Sequence, residues 1–300
     1  MNIIGNKKIF LSISAVLIVA SIAAVVMFGF KSGIDFKGGT LWQLRTVISE
    51  NGIATSDDIK NFFQNDLGIK DATVFPGENN DYMVRANNIS EDDHQKFLKE
   101  LKTKFSGIEE LKFESIGPAI GSELKQKAIW AIIWVILGIS LYVAYAFRKV
   151  SYPIKSWKYG VVTLFSLFHD VIIPAGLLAV LGWKLGVEID TNFIVALLVI
   201  MGFSVHDTIV VFDRIRENLM SSKSGADFSE IVNRSVNQTI ARSINTSLTV
   251  FIVLLAMFFF GPETIKYFIL TILVGIAVGT YSSIFVASPI LEIWGKGVKK

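Results

Sequence analysis

Asp207 stands in an apolar run, residues 191–212, whose only other ionisable side chain is His206. A carboxyl among residues suited to lipid is expensive to keep there, and such groups mark ion or proton pathways. The plainer use is a hydrogen bond between helices. Asp170 occupies a similar place beside His169 in the run 159–183, and Arg242 lies just before the run 244–260. A carboxyl titrates whereas a guanidinium stays charged. Pairing Asp207 with Arg242 would hold a proton-binding group between desolvation, which favours the neutral acid, and a positive charge, which favours the anion. The chemistry expected of that pair is a proton relay, and the alternative is a fixed ion pair between helices.

Depth favours the pairing. At the helical rise, Asp207 lies about 8 Å from the cytoplasmic end of its run and Asp170 about 16 Å from the same side. Arg242 falls near the depth of Asp207. Ser204, Asp207, Val211 and Arg214 share one helical face, as do Gln238, Arg242, Asn245 and Thr249, so two polar stripes are expected to meet at a hydrated interface. His169 and Asp170 either join the relay or make a hydrogen bond between helices. The hydroxyls of Thr280, Tyr281, Ser282 and Ser283 are expected to bond to either stripe or to serve packing. His206 either titrates near neutral pH beside Asp207 or acts as a neutral hydrogen-bonding group.

The elements that must position these residues follow from composition. Hydrophobic residues make up 52%, charged residues 18%, and mean hydropathy is +0.52. Soluble domains carry about 25% charged residues. Six apolar runs are long enough to cross a membrane, or nearly so: 9–30, 128–147, 159–183, 191–212, 244–260 and 267–290. The last holds Gly275 and Gly279, a small-xxx-small helix contact. Basic residues gather at the N-terminus (Lys7, Lys8), after the second run (Arg148, Lys149, Lys155, Lys158), after the fourth (Arg214, Arg216, Lys223, Arg234) and in the tail (Lys296, Lys299, Lys300). The alternate short loops hold only Lys184 and Lys266. By the positive-inside rule both termini are cytoplasmic and residues 31–127 are extracytoplasmic.

The fold class expected is a polytopic α-helical membrane protein with six transmembrane helices. Residues 1–30 form the N-terminus and first helix, and residues 128–300 a five-helix membrane domain with a cytoplasmic tail. Between them, 31–127 read as strand 41–47, a helix capped by Ser56, strands 71–75 and 82–86 joined through Pro76-Gly77 and Asn79-Asn80, a helix opened by Ser90, and strand 111–116. That βαββαβ order is ferredoxin-like. His94, in the first turn of the second helix, is expected to be solvated.

Several functions are excluded or disfavoured. Net charge is +3 without a basic run interleaved with aromatics, so nucleic acid is not a partner. Cysteine is absent, which removes disulfides and thiol chemistry. The three histidines lack metal-ligand spacing, and no phosphate-binding Gly-x-x-x-x-Gly-Lys loop occurs, so no cofactor and no catalytic residue are expected. An aspartyl intramembrane protease needs two carboxyls at one water, and Asp170 and Asp207 lie about 8 Å apart along the membrane normal.

Four stretches carry a resemblance to a known family. GIDFKGGT at 33–40, with Gly33, Asp35, Gly38 and Gly39, resembles the signature that follows the first span in the SecD/SecF family of protein-export membrane proteins. GFSVHDTIVVFDRIREN at 202–218, with Gly202, Asp213, Arg214 and Arg216, is similar to the SecF form of the fourth-span motif, with His206 in place of the usual Asn. QTIARSINTS at 238–247, opened by Gln238, and GTYSS at 279–283, with Gly279, Ser282 and Ser283, resemble the fifth- and sixth-span segments. The single compact external domain also fits the SecF branch. The resemblance implies one half of a twelve-span assembly with SecD, of the resistance-nodulation-division type, in a bacterial plasma (inner) membrane. It further implies association with SecYEG, YajC, a translocating preprotein and membrane lipid, and export driven by H+ through Asp207 and Arg242, with His206 and Asp170 nearby. A stand-alone proton- or sodium-coupled transporter of the same superfamily, working as a homodimer, and a non-catalytic scaffold are the competing readings.

Overall fold

The computed structural model of the protein describes residues 1–46, 54–77, 80–105, 107–148, 154–222 and 227–296. Val47, Asn79, Lys149, Lys223, Lys299 and Lys300, which figure in the expectations above, lie outside the described residues, as does the side chain of Lys296. In chain order the elements are α1 (Lys7–Phe28), a short α2 (Ile34–Lys37), β1 (Gly39–Thr46), and α3 (Ser56–Asn61), which runs on as a π-helical turn, Phe62–Asp66. Next come β2 (Thr73–Pro76), β3 (Asp81–Ala86), α4 (Glu91–Lys104) and β4 (Ile108–Ile116). The long helices α5 (Pro118–Ala146), α6 (Ser156–Leu185), α7 (Thr191–Ser221) and α8 (Phe228–Phe260) follow. A 3-10 turn, Glu263–Ile265, leads into α9 (Lys266–Ser282), a π-helical turn, Ser283–Ala287, and α10 (Ser288–Lys296).

Two compact units result, one of residues 1–31 and 130–300 and one of residues 32–129. In the smaller unit the four strands stand in the order β2-β3-β1-β4, every neighbouring pair antiparallel. The element order is the expected βαββαβ, with β1 beginning at Gly39 and β4 reaching back to Ile108. Alternation along β1 turns Trp42 and Leu44 inward, where they meet Val84, Ile59, Phe62, Phe63 and Leu101. Arg45 donates twice to Asp81 on β3, at 2.7 and 3.1 Å, and that carboxylate raises the guanidinium above its ordinary range. Gly38 and Gly39 have φ of +77° and +128°, and a Cβ on either would press on the backbone of Pro118 or Ala86. The glycine pair of the 33–40 stretch is thus set by backbone geometry.

Two local expectations change. The cap of α3 is Thr55, not Ser56: the Asp58 N–H donates to Thr55 Oγ1 at 3.3 Å and the Thr55 N–H to Asp58 Oδ2 at 2.9 Å. Ser56 is already the first helical residue, and capping needs the extended residue before it. His94 is buried rather than solvated. Its ring stacks on Phe113 at 3.6 Å and meets the edge of Trp42 at 4.8 Å, because the first turn of α4 lies against the sheet. Its nitrogens reach Glu110 at 2.7 Å and Glu91 at 3.2 Å.

Among the described residues, six helices are long and apolar enough to cross a membrane, matching the six expected, with α9 and α10 joined as the last. They exceed the apolar runs because their polar ends stay helical: α8 begins at Phe228 and α7 continues through Asp213, Arg214, Arg216 and Glu217. Half or more of α6, α7 and the last span is buried, but little of α1, α5 and α8. Close approach at the centre depends on small residues. A Cβ on Gly275 would lie 2.2 Å from Ile200, and one on Gly279 3.2 Å from Ser204, so the expected small-residue contact is made by α9 against α7.

Candidate functional site

Two buried carboxyls of the larger unit, Asp170 and Asp207, lie where α6, α7 and the last span meet. Asp170, on α6, is fully buried and accepts three hydrogen bonds: from His169 Nδ1 to Oδ1 at 2.8 Å, and to Oδ2 from Ser282 Oγ on α9 at 2.7 Å and from Ser204 Oγ on α7. Ser166 Oγ, one turn before Asp170, lies 2.9 Å from Ser282 Oγ. A carboxylate only accepts hydrogen bonds, and each of these three groups has a hydrogen to give. Asp207, on α7, is also buried and takes the hydroxyl of Ser283 on its Oδ2.

The last span therefore serves both carboxyls with adjacent serines, Ser282 for Asp170 and Ser283 for Asp207. Ser283 opens the π-helical turn, where the helix carries an extra residue, and Ser288 Oγ donates to the Ser283 carbonyl at 3.0 Å. Such turns inside long helices recur at functional sites. In α6, Pro174 sits one turn after Asp170 and removes the N–H that would bond to the Asp170 carbonyl.

The sequence-derived stripes meet only in part. At one end of α7 and α8, Arg214 Nε donates to Gln238 Oε1 at 2.7 Å, and Asn218 joins Ser235 and Gln238 at 2.7 and 2.9 Å. Arg214 and Arg216 also pair along their own helix with Glu217 and Asp213. Farther along, α8 turns Thr239, Ser243 and Ser247 inward and leaves Arg242, Asn245 and Thr249 exposed. Among the described residues no ion pair joins Arg242 to Asp207. The expected pairing fails because the face of α8 that carries Arg242 points away from α7 and α9. Gly202 and His206 are likewise exposed, on a face of α7 they share with Val195 and Val199, so His206 does not lie against the bond from Ser283 to Asp207. No hydrogen bond joins Asp170 and Asp207, whose partners are separate serines.

Residue types at the right spacing pointed to the carboxyls, but their partners were undervalued. Ser282 and Ser283 were readable as hydroxyls of either role, whereas Ser166 gave no signal, since a serine in an apolar run is commonplace.

Residues 96–297 match the family model described as "Protein export membrane protein SecD/SecF, C-terminal". The chain belongs to the SecD/SecF protein-export family. Within that family it is 43% identical to Protein translocase subunit SecF of Thermobaculum terrenum, over 98% of this chain and 94% of that one. It is 38% identical to the SecF subunit of Anaerolinea thermophila, over 99% and 95%. The crystal structure of SecDF, a translocon-associated membrane protein from Thermus thermophilus, superposes with a TM-score of 0.81 at 34% identity, covering 99% of this chain. The chain spans 39% of the length of that SecDF chain. The SecD/SecF relatives thus match both units, including the GIDFKGGT stretch that lies before the family model's first residue.

Proposed function

We propose that the protein is a SecF-type subunit of the Sec protein-export machinery, paired with a SecD-type half and using a proton gradient to promote movement of preproteins. The similarity to SecF subunits over nearly the whole chain carries the assignment to export. The buried carboxyls Asp170 and Asp207, each held by a serine of the last span, support the coupling. A carboxylate accepts a hydrogen bond from Ser283, whereas the neutral acid also has a hydrogen to give, so each protonation of Asp207 changes what the last span must offer. A change of that kind at the π-helical turn can shift the packing of α9 against α7.

The pairing with SecD is supported by the fused SecDF relative, in which a chain like this one occupies only part of the length. It is also supported by Arg242 on the exposed face of α8, since a guanidinium facing hydrocarbon is costly and a partner half would cover it. In this reading the translocation channel SecYEG, YajC and the moving preprotein complete the assembly. Both termini are on the cytoplasmic side of a bacterial plasma membrane, and the βαββαβ unit is a ferredoxin-like domain on the other side. Arg242 then acts on Asp207 only after the helices rearrange. The coupling ion is H+, and the protein has no enzymatic activity of its own.

The test is gradient-dependent export of a reporter protein into vesicles containing this chain with its SecD-type partner. Asp207→Asn and Arg242→Met should abolish the gradient-dependent part and leave assembly intact. Undiminished export in both variants overturns the coupling. Purification of the active protein as a homodimer without SecD would favour the stand-alone transporter.

A further inference from the structure

We infer that His169 is a second proton-carrying station, exchanging its proton with a water held between its Nε2 and the hydroxyl of Ser14 on α1. This rests on the coupling through Asp207 proposed above and extends it to a helix whose only ionisable residues are Lys7 and Lys8 at its start.

The helix register places the two side chains together. Helices α1 and α6 run parallel: a Cβ on Gly176 would lie 2.5 Å from Ser21 Cβ, and farther along Phe28 stacks on Trp183 at 4.6 Å. Both contacts keep the same offset between the helices. About seven residues, or two turns, back from Ser21 and Gly176 stand Ser14 and His169. Ser14 is 3% exposed and His169 0%.

Both present an unsatisfied atom. Ser14 Oγ and His169 Nε2 are each buried without a hydrogen-bond partner. Buried polar atoms are nearly always paired, with protein or with an ordered water. Two such atoms on facing helices at one level are the setting for a bridging water, which takes about three hydrogen bonds.

The other ring nitrogen leads inward. With Asp170 as the carboxylate, which accepts and does not donate, a neutral His169 carries the hydrogen of their 2.8 Å bond on Nδ1 and the lone pair on Nε2. A hydronium at the Ser14 site gives its proton to Nε2 and becomes water. The imidazolium then passes its Nδ1 proton to Asp170, which becomes the neutral acid and leaves the ring as its Nε2–H tautomer. Ser282, which donates to Asp170, is the neighbour in the last span of Ser283, which donates to Asp207. The titratable groups about His169 are Asp170 on its own helix and Tyr281 on α9, stacked 6.3 Å away and donating to the Phe10 carbonyl, while Asp207 on α7 is held separately by Ser283.

The experiment uses the chain with its SecD-type partner in vesicles, with Ser14→Ala, Ser14→Val, His169→Gln and Asp207→Asn. Gradient-driven export is followed against pH, and the buried-water O–H band by difference infrared spectroscopy. His169→Gln keeps a donor for Asp170 but cannot relay a proton, and gradient-driven export should fall on the order of tenfold, a barrier change of about 1.4 kcal/mol. Ser14→Val, which fills the water site, should remove the band and displace the pH profile. Ser14→Ala, which leaves the helix contact in place, should weaken the band even if the valine variant fails to assemble. Parental pH profiles and an unchanged water band in the Ser14 and His169 variants, with Asp207→Asn inactive, would overturn the station and leave the Asp207 coupling standing. Full gradient drive in Asp207→Asn would overturn both.

Discussion

At the residue scale, serine rather than arginine meets the buried carboxyls of Asp170 and Asp207. Ser283 is the hydrogen-bond donor to Asp207, and its removal leaves a buried acceptor unpaired. Such a loss costs about 1–3 kcal/mol. Ser283→Ala should therefore lower the thermal midpoint of the detergent-solubilised protein and shift the pH dependence of gradient-driven export, and Ser283→Thr, which restores a hydroxyl, should recover both. A midpoint and pH profile unchanged in the alanine variant would show that another donor holds Asp207. A separate acid-range effect belongs to Asp58, whose carboxyl is held below its ordinary value first by the Thr55 hydroxyl and then by the Thr55 N–H. A folded value lower than the unfolded one stabilises the fold above the unfolded pKa, and that stabilisation is lost as pH falls through the folded value. Thr55→Val should speed hydrogen exchange of the α3 amides at neutral pH, and the difference from the parent should fade below about pH 4, where the unfolded carboxyl is protonated.

At the element scale, the central contacts depend on what small residues allow. A methyl group on Gly176 would fall 2.5 Å from Ser21 Cβ and 2.6 Å from Ser21 Cα, so α1 must move to admit it. Gly176→Ala should cost about 1–3 kcal/mol, the range for overpacking, read as a lower unfolding midpoint. Substituting Gly202, with open space about it, should leave the midpoint unchanged. The helices and strands themselves were legible because each follows a local rule: unbroken apolar runs for the spans and alternation for β1. The capping of α4 by Ser90, which accepts from the Asp93 N–H at 3.2 Å, was legible for the same reason. What was not legible depends on rotation about the helix axis. Arg242 and Ser243 are neighbours in sequence, yet one is exposed and the other buried, and only packing against α7 and α9 decides which. His94 misled in the same way, since its burial comes from a sheet contact that first-turn position does not encode.

At the scale of the whole molecule, the larger unit leaves a face of α8 that single-chain packing does not account for. Arg242, Asn245 and Thr249 stand exposed beside Ile244, Leu248, Ile252 and Val253, within a helix apolar enough to span a membrane. Polar groups at that depth face a protein or a water-filled cavity far more often than lipid. The length difference from the fused relative leaves room for such a protein, since 39% of that chain is matched here. The protein contains no cysteine, so a single introduced thiol reports its surroundings without background. Asn245→Cys should react readily with a maleimide in the detergent-solubilised chain alone and be protected once the SecD-type half is bound. Phe260→Cys, at a residue 91% exposed and at the far end of the same helix, serves as the control that stays reactive in both. Equal labelling of Asn245→Cys with and without the partner would mean that the polar face of α8 lines a solvent-filled path rather than the joint between the two halves, and Arg242 would then act on Asp207 from water.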